Sequence, residues 1–438
     1  MRVVSINLTT PYKENLRGTT ALPYHLLKGR GDRIDVVIYT FNANGLTDEQ
    51  IAEVERELSV EIRLLQLPRW YRWLFKFHLL FLRVFLKYPF VNYIRLPQSV
   101  LDEIKSLQPD MIWVYGEEMS RIPKQFPDFR RIQIGPDVES LYYYRMMSRR
   151  FVMNNKVDYW KCAMMYRKYA RMERELCSDD NYTYYAVGEA DIEHLRQIAP
   201  NVHSKFLRHP HYAVAERRAI RFHQPKIRLL IAGQYNLYMQ QTADEVLEWI
   251  NLLSPQAPLK GGVQSGYHNS SSPFRGLGGQ PGLEGLKQLQ KHYSITFLGK
   301  GWERHVEVLR NLGFEVEHIE FAPDYIDEII KHDIQVTPIT VGTGTKGKVL
   351  DALANGLLVL GTPYAMENIA VEHGTSCVVW ETPEQLVDTL MDIPTRVEHY
   401  EQLAQAGREA VLEQHDPVRI AKQLFEVLPH ADLADVLI

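Results

Sequence analysis

Two lysines set one residue apart, Lys346 and Lys348, and an acid three positions on, Asp351, follow directly on a loop with two glycines, Val341-Gly342-Thr343-Gly344-Thr345. Cations normally favour the last turn of a helix, so a lysine pair in a first turn is costly unless an anion sits there. A helix N-terminus already offers N–H groups and positive partial charge to phosphate, and glycines let a ligand approach bare backbone. Asp351, one turn further along, supplies acceptors for hydroxyl groups. The chemistry this spacing suits is the holding of a phosphate or diphosphate beside a hydroxylated group; the plainer alternative is an ordinary strand–helix crossover with solvated lysines.

Positioning those groups needs a strand, a loop and a helix. Ile334 and Val336 form an apolar run into the loop, and the helix opens near Lys346 with Val349, Leu350 and Leu353 inward. It stops at Asn355-Gly356, a pair suited to a left-handed helix end. Leu357-Leu358-Val359-Leu360 then reads as a strand buried on both faces and ended by Gly361-Thr362-Pro363.

The stretch from Gly344 through Lys346-Gly347-Lys348-Val349-Leu350-Asp351-Ala352-Leu353-Ala354-Asn355-Gly356 to Thr362 resembles the donor-nucleotide site of retaining glycosyltransferases of the GT-B fold, family-4 type. In that family a Glu usually stands where this chain has Asp351, and often a second where it has Thr343. The resemblance implies that Asp351 binds the nucleotide ribose, that Lys346, Lys348 and the amides of Gly344 and Thr345 hold the donor diphosphate, and that no metal or cofactor is required. It also implies an α/β architecture of two Rossmann-like doubly wound domains facing across a cleft.

Composition agrees with a two-domain globular chain, because 438 residues exceed one ordinary core. A formal net charge of −4 speaks against a general nucleic-acid binder. Three scattered cysteines give neither a disulfide framework nor metal-ligand spacing, so a reducing cytoplasm is expected. Arg2 to Leu8 reads as a strand running into a turn rather than as a signal peptide.

Further strands are expected at Ile34 to Tyr39, Val60 to Leu67, Met111 to Tyr115 and Arg131 to Ile134, with a polar helix at Thr47 to Leu58. Ligands of open α/β sheets bind at the carboxyl ends of strands, which aims Glu117 and Asp137 at the interdomain cleft. Asp137 either orients the acceptor hydroxyl or caps the following helix. By resemblance Gly18 and Thr19 form the first glycine loop beside the donor, and the Phe321-Ala322-Pro323-Asp324 turn binds the base through backbone near Ala322. Gly233 closes the first strand of the second domain; many relatives follow it with an Arg and a Lys, whereas this chain has Gln234-Tyr235-Asn236-Leu237. His209 and His211 flank Pro210 without acidic partners and read as a linker.

Residues 69–88 read as one helix, with Arg72, Lys76, Arg83 and Lys87 in a stripe and Trp73, Phe75, Phe77, Leu80, Phe81 and Phe85 around the rest. Two placements fit: in the headgroup plane of an anionic membrane, or as a core helix with one solvated edge. Residues 254–285, rich in Gly, Ser and Pro, read as a mobile insertion.

The expected domains are 1–215 on the acceptor side, 224–410 binding nucleotide sugar, and 411–438 as a helix crossing back. The function implied by the resemblance is hexosyl transfer with retention from a UDP- or GDP-linked sugar to a glycan or lipid-linked glycan, in polysaccharide or glycolipid synthesis. The enzyme would be cytoplasmic, peripheral on the inner face of the cell membrane through 69–88. Thr343, Pro136 and the missing loop cations support an alternative, a catalytically silent relative that binds nucleotide sugar or glycan as a partner subunit.

Overall fold

The computed structural model describes residues 1–15, 19–215, 219–252 and 281–425. The chain divides into two compact units, one of Met1–Tyr212, Thr343–Thr345 and Gln414–Ile438, the other of Ala213–Gly342 and Lys346–Glu413.

Among the described residues the first unit has a parallel sheet of seven strands: β1 (Arg2–Asn7), β2 (Asp35–Thr40), β3 (Glu61–Leu64), β4 (Met111–Tyr115), β5 (Arg131–Gly135), β6 (Tyr182–Ala186) and β7 (Ser204–Phe206), in the order β3-β2-β1-β4-β5-β6-β7. β4 and β5 are buried at every position, as strands covered by helices on both faces must be. The order reverses at β1, the switch point at which such sheets open a crevice. The Pro417–Phe425 helix belongs to this unit: Ile420, Ala421, Leu424 and Phe425 share a core with Leu22, Leu26 and Leu27 of the Ala21–Lys28 helix. Phe425 meets Trp113 edge-on, with ring centroids 5.7 Å apart.

The second unit has a parallel six-stranded sheet among its described residues: β8 (Ile227–Ala232), β9 (Tyr293–Leu298), β10 (Glu315–Ile319), β11 (Ile334–Thr337), β12 (Leu358–Gly361) and β13 (Val378–Val379), ordered β10-β9-β8-β11-β12-β13. β11 pairs in register with β12 from Ile334 opposite Leu358 to Thr337 opposite Gly361. Both sheets are doubly wound and parallel, so the α/β expectation holds.

Two segments differ from the expectations. Residues 69–88 are not one helix: Arg69–Lys76 is helical, His78 takes a left-handed backbone (φ 55°), and Leu79–Phe85 continues as a 3₁₀ helix. A left-handed residue interrupts a right-handed helix, so the four basic residues do not share one stripe. The supposed insertion at 254–285 lies outside the described residues up to 280, and 281–285 open the Pro281–His292 helix. Among the described residues no helix is long and apolar enough to cross a membrane.

Candidate functional site

In the second unit the Gly347–Ala354 helix follows β11 and buries Val349, Leu350 and Leu353. Gly356, at φ 77°, turns the chain into β12. Asn355 ties the helix end down, donating from Nδ2 to the carbonyls of Asp351 (2.8 Å) and Ala213 (2.9 Å). Lys346 stands at the N-cap with no side-chain cap, since an ammonium has no acceptor to offer the first-turn amides. Its chain folds back over Gly342: a β-carbon there would lie 2.8 Å from Lys346 Cε and 3.1 Å from Nζ.

Lys348 is exposed, and its ammonium lies 4.9 Å from the centre of the Tyr325 ring. There the loss of water holds its pKa below the usual lysine range, and the charge of Asp351 only partly offsets this. Asp351 is buried, and burial pushes its carboxyl up to about 7 against the pull of Lys348. Its Oδ1 and the Tyr325 hydroxyl are both buried, and no described residue hydrogen-bonds to either. Buried polar atoms left in this state are uncommon in folded proteins, and here two of them stand beside a cation. Together they can take hydroxyls as partners, while Lys348 takes an anion.

The other residues predicted for this unit stand at carboxyl ends of strands. Gly233 follows β8 at φ 132°, and its carbonyl accepts from Trp302 Nε1 at 2.7 Å. Where many relatives carry cations, Tyr235 donates its hydroxyl to both carboxylate oxygens of Asp244 at 2.8 Å. Ala322 is half-buried in the turn after β10, next to the strongly exposed Phe321, and Asp324 caps the Tyr325–Ile329 helix.

In the first unit the predicted residues lie around the Glu139–Met147 helix. Its first amides are each taken by a carboxylate: Val138 donates to Asp191 Oδ1 (2.7 Å), Glu139 to Glu117 Oε2 (3.2 Å) and Ser140 to Glu173 Oε1 (2.9 Å). Asp137 is therefore not the cap; the N-cap position is Val138, which has no capping side chain. Glu117, expected to face an opening, is instead buried in the 3₁₀ turn Glu117–Met119 after β4. Burial pushes the carboxyls of Glu117 and Glu173 up, Glu117 further because of the neighbouring charge of Glu173. Glu139, desolvated and close to Asp137, is raised to about 8.

Thr343–Thr345 group with this unit. The amide of Gly344 donates to Asp191 Oδ2 at 3.0 Å and the Thr345 hydroxyl to the Val187 carbonyl at 2.6 Å. Gly344 sits at φ 59° with its α-carbon against Asp137 and Pro136. Its amide, expected to face a diphosphate, is thus engaged by a carboxylate. Thr343 is buried, Thr19 is exposed and Gly18 lies outside the described residues. His209 donates from Nδ1 to the Pro210 carbonyl (2.8 Å) and its Nε2 lies 3.0 Å from the Tyr212 hydroxyl, and among the described residues no group of three or more His, Cys, Asp or Glu side chains is placed to hold a metal ion.

Sequence reasoning missed Glu173 and Asp191. Their hydrogen-bond partners at the helix start lie 33 and 53 residues away, and no local pattern encodes such pairing.

Residues 281–426, about a third of the chain, match the model of a family described as glycosyl transferase-like. No curated protein matches the chain. Its fold is similar to that of Anabaena HepE, solved in complex with UDP, at 10% identity, covering 97% of this chain and 99% of that one with a TM-score of 0.58. Sucrose-phosphate synthase from Thermosynechococcus elongatus matches at 9% identity over 97% and 98% of the two chains, TM-score 0.58. WaaG, a glycosyltransferase involved in lipopolysaccharide biosynthesis, matches at 12% identity over 98% and 100%, TM-score 0.55. The architecture is the two-domain Rossmann-like fold of GT-B glycosyltransferases.

Proposed function

We propose that the protein is a metal-independent retaining glycosyltransferase that moves a hexosyl group from a UDP- or GDP-linked sugar to an acceptor hydroxyl. The observation that carries this reading is the grouping of Lys348, Tyr325 and Asp351 around the start of the Gly347–Ala354 helix: a cation over the Tyr325 ring beside two buried oxygens that lack partners among the described residues. The glycosyl transferase-like match over 281–426 includes all three. UDP in the complex of the similarly folded HepE supports a nucleotide as the donor's leaving group.

In the reaction the bond between the anomeric carbon and the β-phosphate oxygen breaks, and the nucleoside diphosphate leaves with the electron pair. The acceptor oxygen bonds to the same face of the anomeric carbon, and its proton passes to the departing phosphate. Charge therefore builds on the diphosphate. Lys346, Lys348 and the amides at the helix start stabilise that charge, and Asp351 accepts from the ribose hydroxyls. Since the Gly344 amide already donates to Asp191, the two ammonium groups carry most of this burden.

The acceptor is a glycan or lipid-linked glycan, and an anionic membrane surface meets the protein through 69–88. Support comes from the exposure of Trp73, Phe77, Phe81 and Phe85 among basic residues there. Polysaccharide or glycolipid synthesis is the process this suits. The occupied Gly344 amide and Thr343 in place of an acid favour one second reading, a catalytically silent subunit that binds nucleotide sugar.

The test is release of UDP or GDP from a panel of sugar nucleotides with membrane extract as acceptor. Turnover that falls about 10²–10³-fold in Lys348→Ala supports the transferase. Binding of nucleotide with no turnover in the wild type supports the silent subunit, and unchanged turnover in Lys348→Ala removes the assignment.

A further inference from the structure

The first unit exposes a second apolar segment. The Lys156–Arg174 helix buries residues only in its last two turns, from Lys168 to Glu173. Its first half leaves Val157 60% and Trp160 56% exposed, and Met153, just ahead of it, is 60% exposed. Val157 and Trp160, three residues apart in that helix, share one face, and Met153 closes the short Arg150–Met153 helix just ahead of the extended Asn155. An apolar face of this kind on a folded chain marks an interaction surface.

The same helix supports the 69–88 segment. Lys168 donates its ammonium to the carbonyls of Arg83 and Val84, and Tyr169 and Met172 pack with Tyr88. Trp160 is eight residues from Lys168, about 12 Å along the helix axis. Phe81 and Phe85 of the 3₁₀ segment are 60% and 80% exposed. One helix thus carries an exposed apolar face at its start and seats a second exposed aromatic segment near its end.

Charge identifies the partner. Residues 62–101 hold seven Lys and Arg and no Asp or Glu, and residues 140–161 hold five Lys and Arg and a single acid, Asp158, which pairs with Lys161, in a chain whose acids outnumber its bases 54 to 50. Two basic stretches rich in aromatics match the anionic headgroups and upper acyl region of a bilayer. We infer that Met153–Trp160 and the 69–88 segment form one bipartite lipid-docking surface, which lies on an anionic bilayer and does not span it. The inference rests on the membrane reading of 69–88 given above and adds to it a second attachment element.

The experiment is sedimentation of the full chain with phosphatidylcholine vesicles, with and without phosphatidylglycerol. Two double variants at exposed positions, Trp73→Glu/Phe81→Glu and Val157→Glu/Trp160→Glu, are compared with the wild type, and circular dichroism checks the fold. Expected are binding only to the anionic vesicles, weakening as salt rises from about 0.1 to about 0.5 M, and a loss of about tenfold or more in each variant. If Val157→Glu/Trp160→Glu binds like the wild type while the other variant does not, the second element is refuted and the 69–88 reading stands. If the wild type binds no anionic vesicles, both fall. A wild type that ignores vesicles but self-associates in a way Val157→Glu/Trp160→Glu abolishes assigns the face to a second copy and overturns the inference.

Discussion

Asp351 is the residue whose behaviour is most sharply set by its surroundings. With its carboxyl raised to about 7 by burial, it is partly protonated at neutral pH, whereas an ordinary aspartate is fully ionised. Accepting from two ribose hydroxyls requires the anion. Nucleotide affinity is therefore expected to rise as pH climbs from about 6 to about 8 and then level off, and Asp351→Asn to flatten that dependence; titration calorimetry across the range checks both. The buried pair Glu117 and Glu173 gives a stability counterpart. Their folded-state pKa values are raised, so the stabilisation is fully present below about 4.5 and lost as pH rises through the raised values. Glu117→Gln keeps the shape and an acceptor for the Glu139 amide without the charge. Its melting temperature is expected to exceed that of the wild type at alkaline pH and to converge with it under acid conditions; an unchanged difference across the range would remove the paired-carboxyl account. Lys346, Lys348 and Asp351 were legible because their spacing is local. Glu173 and Asp191 were not, since nothing near them in the chain announces partners more than thirty residues away.

At the scale of elements, the strand–loop–helix–strand unit of residues 334–361 was readable because each part has its own signal: an apolar run, glycines, inward Val349, Leu350 and Leu353, and an Asn-Gly stop. Gly344 is the loop's fixed point, at φ 59° with Asp137 and Pro136 against its α-carbon. Gly344→Ala combines a disfavoured backbone with a clash, and stability is expected to fall by about 1–3 kcal/mol in denaturant titration. Residues 69–88 show where periodicity misleads. Apolar and basic residues recur at helical spacing on both sides of His78, yet its left-handed backbone breaks the run. Periodicity constrains which side chains share a face only if the helix continues, and no glycine or proline flags the break.

For the whole molecule, both sheets could be anticipated from apolar runs alternating with helical patterns, which permit little other than parallel α/β layers. The grouping of Gln414–Ile438 with the first unit depends on contacts with helix Ala21–Lys28, nearly four hundred residues earlier. Leu424 is fully buried there, and Leu424→Ala is expected to cost the first unit about 2–5 kcal/mol. The central claim concerns the second unit: Lys346 and Lys348 hold a diphosphate while Asp351 holds the ribose. A crystal structure with UDP or GDP bound tests it most directly. The account predicts phosphate oxygens within hydrogen-bonding distance of both ammonium groups and ribose hydroxyls on the Asp351 carboxylate. A nucleotide seated elsewhere, with both lysines still against Gly342 and Tyr325, would contradict it.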